Sequence, residues 1–577
     1  MKKKLLPALI VTGLIILVVI IMGITALINK YTPTKKTEDL KEYFNISSDD
    51  EAALIVDNEL SDYKAKIIDK KIYVDYKFVH DSLNSRFYWD ANENVLLYTT
   101  ASDIISAAAD SNSYSVTKQT NDFGYPIVKA TSDSALIALD YVKQYSNITF
   151  KSYDDPARIV ITSKWDEIDS ATVSKSTQVR VKGGIKSPIL KEVKKDDKIT
   201  ILDSGDKWDK VATEDGVIGY IKRKALSESK KTKLTNPDYG EETFTHIKKD
   251  KDICLAWNQV TSQSANSKVP QVISSTKGIN VMSPTWFYLN DNNGNLADIA
   301  SKDYVSYCHS QGIEVWGLFS NLENTDVDAA YVLTHTSTRT TLINQIMSAA
   351  FNYELDGVNI DFENITEAAY GDSYIEFIRE LAIKCHNNGI SLSVDVTVPA
   401  SFNKFFNRSD MANFADYIVI MGYDEHYKGS DAGSVSSIPW VTEGVESTLK
   451  EVPADQIILG MPFYTRIWEL TPKEDDDAVT DTEDQSKYTV ASQVYSMDAA
   501  AAQLATNNAT AALDEESGQN YAEWSVSNKL YKVWLEDTTS LEKRLKLVDD
   551  NKLAGAAFWK LGFENSSVWD TVIKYLD

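Results

Sequence analysis

The sequence predicts a multidomain chain ending in an α/β domain, a (β/α)8 barrel, and three observations predict it. At 577 residues the chain is too long for one hydrophobic core and must divide. From Asp252 onward eight apolar runs recur between helical stretches, at 253–257, 279–282, 313–319, 355–362, 390–398, 417–421, 457–463 and 553–559. Buried strands alternating with helices in this way close into a barrel whose site lies at the C-terminal strand ends. Polar and aromatic residues gather at those ends: Trp286 after the second run, Asn321 after the third, Glu363 ending the fourth, Tyr423 and Asp424 after the sixth, Arg466 after the seventh and Trp559 ending the eighth.

The elements follow in chain order. Met1-Lys2-Lys3-Lys4 precedes an uncharged stretch, 5–28, long enough at about 1.5 Å per residue to cross a hydrocarbon core of about 30 Å. Residues 1–30 are therefore expected to be a cytoplasmic tip and a retained transmembrane helix. A signal peptide with a shorter apolar region is the alternative, which would make the protein secreted. The lysines at 2–4 favour a cytoplasmic N-terminus and an extracytoplasmic remainder, although Lys30, Lys35 and Lys36 weaken the asymmetry. Residues 31–49, polar and charged, are expected to be a tether.

Residues 50–165 contain a duplicated pattern. Ile72-Tyr73-Val74 and Phe78-Val79 lead to Tyr88-Trp89-Asp90 and Val95-Leu96-Leu97-Tyr98, and further on Tyr141-Val142 leads to Tyr153-Asp154-Asp155 and Ile159-Val160-Ile161-Thr162. Each copy reads as a strand, a short helix and a hairpin. This resembles the small α+β module at the N-terminus of copper amine oxidases, here without a histidine cluster and so with no metal assigned. Residues 171–227 hold short β runs between Gly and Asp turns, which predicts a small all-β barrel. It resembles a bacterial Src-homology-3-type domain, with Trp208 and Tyr220 read equally as ligand platforms or as packing. Residues 228–250 are expected to be a linker and 251–577 the large barrel. The gap at 469–537 is too long for a crossover and predicts a small α+β insertion.

Composition narrows the function. A formal charge of −25 without clustered Lys or Arg excludes a nucleic-acid partner. Cys254, Cys308 and Cys385 fit neither a disulfide framework nor a zinc pattern and read as small buried apolar residues. The acids from Asp475 to Asp484 read as a solvated loop rather than a calcium site.

The fourth run carries the chemistry. Residues 355–364 alternate, so Asn359, Asp361 and Glu363 share one strand face and Val358, Ile360 and Phe362 the other. Burying acids is costly unless they are paired or used; the plain alternative is an amphipathic edge strand with a wet face. Asp356-Gly357-x-Asn359-x-Asp361-x-Glu363, with Met421-x-Tyr423-Asp424 and a Trp ending the last strand, resembles glycoside hydrolase family 18, the chitinases. Ser283-Pro284-Thr285-Trp286-Phe287 and Met461-Pro462-Phe463-Tyr464-x-Arg466-x-Trp468-Glu469 are most similar to its bacterial spore-cortex N-acetylglucosaminidase branch.

The resemblance implies substrate-assisted catalysis. Glu363 is the general acid and later the base, Asp361 holds the substrate acetamido group, Tyr423 donates to its carbonyl oxygen and Trp559 floors the sugar. Met421, Asp424, Asn359, Trp286 and Arg466 complete the substrate-binding set; no cofactor or metal is called for. Packing alternatives stand beside these roles: Trp559 as core, Tyr423 as packing, Arg466 as a structural ion pair. His426 reads as a rim residue. Asn359 departs from the pattern, since most family members have Asp there. The expected function is cleavage of β-1,4 bonds next to N-acetylglucosamine in peptidoglycan by an anchored, extracytoplasmic enzyme. Chitinase action on chitooligosaccharides is the alternative, and a non-catalytic chitinase-like lectin, which would lack the acid, stands behind it. The expected partners are the glycan and the membrane.

Overall fold

A computed structural model describes residues 5–365, 370–473 and 484–576. The described chain forms two compact units, residues 1–89, 107–114 and 121–241 in one and 90–106, 115–120 and 242–577 in the other.

In the first unit a helix, Leu5–Tyr31, is apolar along its length; its part from Pro7 to Tyr31 has a mean hydropathy of 2.9, enough to cross a membrane. The stretch expected to be a tether is docked instead. Thr34 N–H donates to Ile185 and Glu38 N–H to Ile189, and Phe44 is fully buried among Ile55, Val179 and Val211. Leu40, Tyr43 and Ile46 pack on the same cluster as Phe44, so the stretch has an apolar face of its own, and burying one such large side chain contributes about 1.5–3 kcal/mol.

The two repeats do not make two modules. Strands Lys71–Asp75 and Ala135–Ala138, each leading into a seven-residue helix, pair antiparallel within one seven-stranded sheet. The hairpin Thr149–Tyr153 and Arg158–Thr162 completes the second copy in that sheet. A further seven-stranded antiparallel sheet runs from Glu167–Thr172 to Lys230–Lys233, so the β domain is wider than 171–227 and takes in the first part of the expected linker.

The second unit is built on the barrel. Its strands are β1 (Ile253–Asn258), β2 (Val281–Leu289), β3 (Glu314–Ser320), β4 (Gly357–Asp361), β5 (Ser391–Thr397), β6 (Tyr417–Met421), β7 (Ile457–Pro462) and β8 (Gly555–Trp559). All eight pair in parallel, and β1 pairs with both β2 and β8, which closes the ring. Alternation divides each strand. Leu255 and Trp257 of β1, Trp316 and Leu318 of β3 and Tyr417 and Val419 of β6 pack inside the barrel. Cys254, Val315, Ile360, Val394 and Ile418 join the larger core against the surrounding helices. Trp316 requires a glycine beside it, since a Cβ at Gly357 would lie 2.5 Å from its Cδ1. All three cysteines are buried and unpaired.

Two boundaries differ from those read in the sequence. Residues 90–106, part of the first repeat, belong with the barrel. Asp90 and Glu93 accept from the backbone N–H groups of Thr336 and Ser337, where helix Thr336–Tyr353 begins without a side-chain cap of its own. The insertion after β7 starts at Tyr464, because strand Tyr464–Pro472 pairs antiparallel with Tyr488–Ser496 and Lys529–Leu535 in a five-stranded sheet carrying helix Met497–Thr506. Of the acidic loop read at 475–484, residues 475–483 lie outside the described residues.

Candidate active site

The mouth of the barrel assembles from β4 outward. Asn359 is fully buried inside the ring and every polar atom of its side chain is engaged. Its Oδ1 accepts from Trp257 Nε1 and Ser283 Oγ, both at 2.9 Å, and its Nδ2 donates to Ser393 Oγ at 3.0 Å and to Asp395 Oδ1 at 2.7 Å. The two donors fix which end of the amide is oxygen, so the N–H2 must face β5. Asn359 thus ties β1, β2, β4 and β5 together below the mouth, and lies deeper than a residue that touches substrate.

One turn of the pleat higher, Asp361 is 9% exposed, and its Oδ1 is buried without a hydrogen-bond partner among the described residues. Burial pushes its carboxyl well above the usual range, and the charges of Asp395, Glu363 and Glu323 add to that. Two residues past the strand end Glu363 reaches solvent at the mouth. The protein around it raises its pKa, with Asp424 and Glu323 contributing in the same direction. A carboxyl whose pKa is raised beside ionisable neighbours suits general acid catalysis.

Tyr423, after β6, sits edge-on to Trp257 with ring centroids 6.4 Å apart and edge-on to Tyr464 at 6.3 Å. Burial raises its hydroxyl pKa, followed by the charges of Asp361, Asp395 and Glu363, which places that hydroxyl among the three acids as a neutral donor. Trp559, ending β8, meets Trp257 edge-on at 6.0 Å and is part-exposed at the interior end of the ring. Met421 ends β6 and is buried. Asp424 holds a left-handed backbone at φ 61° and stays exposed. Its Oδ1 accepts from the Tyr464 hydroxyl and lies 3.8 Å from Arg466 Nη2. Arg466 itself donates to Ser492 Oγ at 3.1 Å, and its buried Nε has no partner among the described residues.

Besides Asn359, which lies below the mouth, Trp286 is the member of the set that the fold does not bring there. It is fully buried in the layer between barrel and helices, and its Nε1 donates to Asn266 Oδ1 at 2.8 Å. Its position explains this: on β2 Val281 packs inside, Met282 outside, and Trp286 shares the parity of Met282. Sequence reasoning also missed three residues that the fold places at the site, Trp257, Glu323 and Asp395. Asp395 had a readable signal, since Ser391, Ser393 and Asp395 alternate with Leu392, Val394 and Val396 just as the polar row of β4 does.

A closed parallel barrel with a raised acid at its mouth, further buried carboxyls and an aromatic floor has the form of a glycosidase site. By sequence, residues 323–564 match the model of Glycosyl hydrolases family 18, so most of the barrel is similar to the glycosidases of that family. The chain is 24% identical over 302 residues to the uncharacterized glycosylase YvbX of Bacillus subtilis (strain 168), covering 49% of this chain and 81% of that protein. To the cortical fragment-lytic enzyme of the same organism it is 24% identical over 287 residues, covering 48% of this chain and 63% of that one. The crystal structure of the Bacillus cereus spore cortex-lytic enzyme SleL superposes with a TM-score of 0.50 at 18% identity over 60% of this chain and 77% of that chain, a likeness of fold. The similarity to these proteins thus covers about half to three-fifths of this chain.

Proposed function

We propose that the protein hydrolyses β-1,4 bonds next to N-acetylglucosamine in peptidoglycan, by substrate-assisted catalysis with retention, from a membrane anchor formed by its N-terminal helix. The observation that carries the reading is the solvent-reaching Glu363 with a raised pKa beside buried Asp361 and Tyr423. In this reaction the acetamido oxygen of the substrate attacks the anomeric carbon while Glu363 gives its proton to the departing glycosidic oxygen, leaving an oxazolinium ion. Asp361 takes the acetamido N–H and offsets the positive charge, and Tyr423 donates to the acetamido oxygen and sets its angle of attack. Water then opens the ring from the face the leaving group left, with Glu363 taking its proton. Trp559 offers the distorted sugar an apolar floor, and Asp424 and Arg466 line the adjoining rim.

Peptidoglycan as substrate is supported by the cortical fragment-lytic relative and by the β-rich N-terminal unit behind an apolar helix. Mass spectrometry of products from purified peptidoglycan and from chitin oligomers tests it. Muropeptides ending in reducing N-acetylglucosamine, with retained configuration at the first turnover, are expected. Cleavage of chitin oligomers alone would return the reading to a chitinase.

A further inference from the structure

Of the three acids at the mouth, Asp361, Glu363 and Asp395, the last has no part in the reaction as described. It lies on β5, 4% exposed, and its position follows from register. The parallel ladder sets Asn359 beside Ser393 and ends with Ile360 beside Val394, and the same register carried one residue further brings Asp361 to the side of Asp395. Both belong to the inward-facing row of their strands, and neighbouring strands run about 4.8 Å apart. The two carboxyls are therefore cross-strand neighbours inside the barrel. One oxygen of Asp395 is taken by the amide of Asn359 at 2.7 Å, and the orientation of that amide is fixed from its other end by Trp257 and Ser283. Asp361 has a buried Oδ1 with no donor. The groups around Asp395 are Asp361 and Asn359 on β4, Glu363 beyond its end, Tyr423 after β6 and Tyr374 on helix Gly371–His386, none of them a cation.

We propose that Asp361 and Asp395 form a cross-strand carboxyl pair that binds one proton between them, and that Asp395 is the positioning residue through which Asp361 is held ready for the acetamido group. Two adjacent buried carboxylates without a cation cannot both ionise, whereas one proton shared between them satisfies the bare oxygen of Asp361 and leaves a single charge. The elevated pKa of both members, caused first by burial, agrees with this. The proton stays within the pair throughout turnover: when Asp361 faces the oxazolinium cation, Asp395 keeps the proton and donates it as a hydrogen bond to the Asp361 carboxylate. The unusual amide at 359 then has a purpose, since it holds Asp395 in place without adding a further charge. The part played in turnover rests on the roles given above to Glu363 and Asp361; the shared proton itself does not.

Two variants of the full-length protein in detergent test this. In Asp395→Asn an amide can still donate to Asp361, whereas in Asp395→Leu nothing can. Loss of a hydrogen bond to a charged group predicts that kcat falls roughly tenfold to a hundredfold in the leucine variant and about threefold in the asparagine variant. Without its donor Asp361 ionises less readily, so the acidic limb of the kcat/KM profile moves up by about one pH unit in Asp395→Leu and stays in place in Asp395→Asn. Equal losses in the two variants, or a leucine profile superimposable on that of wild type, overturn the positioning role. Infrared difference spectra, wild type minus Asp395→Asn at neutral pH, read the proton without turnover: a protonated-carboxyl band is expected, and its absence overturns the pair. If wild type cleaves no glycan, the functional reading fails while the infrared result still decides the pair, as it does if the leucine variant does not fold.

Discussion

Strands β4 and β5 lie side by side, carry the same alternation of polar and apolar residues and contribute to one site, yet they contribute differently. β4 ends in a row whose last acid, Glu363, reaches solvent, whereas the acid of β5, Asp395, stops inside the ring and bonds to an amide of its neighbour. Height along the barrel accounts for the contrast: a carboxyl at the mouth is open to solvent, and one a level down is bonded to another side chain. Even the first inward positions differ, with Gly357 leaving room for Trp316 while its register partner Ser391 has room for a hydroxyl that finds no partner among the described residues.

The largest expected effect is at the top of β4. Glu363→Gln keeps the shape of the side chain but cannot give up a proton, so kcat should fall at least about 100-fold while binding of N-acetylglucosamine oligomers stays measurable; turnover within a few-fold of wild type would break the assignment of roles between the strands. At the bottom of the same strand Gly357→Ala forces a methyl group onto Trp316 and should cost about 2 kcal/mol, read from denaturant unfolding.

Asn359→Asp sharpens the comparison by giving β4 a second acid of the β5 kind. A carboxylate there faces Asp395 where an N–H2 now donates, so the buried acids should have folded pKa values above their unfolded values of about 4. A raised folded pKa makes the penalty small below the unfolded value and larger as pH rises above it, so the thermal midpoint of the variant should drop progressively relative to wild type as pH rises above about 4. The acidic limb of its rate profile should move as well; a midpoint difference independent of pH would show that position 359 does not sense the acids. The smallest effect belongs to Ser391→Ala, which removes a buried hydroxyl lacking a partner and should change stability by less than about 0.5 kcal/mol.

The same contrast shows what could be read in advance. All eight barrel strands were legible because long apolar runs separated by helical stretches leave few other folds. The β4 row was legible because two acids and an amide stood at every second position. The alternation that carries Asp395 was legible too, but its partner was not, because the meaning of a single acid depends on which strand lies beside it, and register between separate strands is not written locally. Trp286 was misplaced by attention to strand order without strand parity, although parity was available from Val281 and Met282. The repeats at 50–165 were recognisable as units, but their pairing into one sheet, and the grouping of 90–106 with the barrel, depend on contacts between distant segments.

Phe44 has a bearing on distance. With backbone pairing already in place at Thr34, only Thr32 and Pro33 lie between the end of the apolar helix and the first docked residue, a gap that spans less than about 10 Å even when fully extended. Residues 34–46 therefore act as a clamp that keeps the first unit close to the end of the helix. In a protein held at a membrane by this helix, as proposed above, lengthening the junction at Thr32 would be the direct way to let the first unit reach further out.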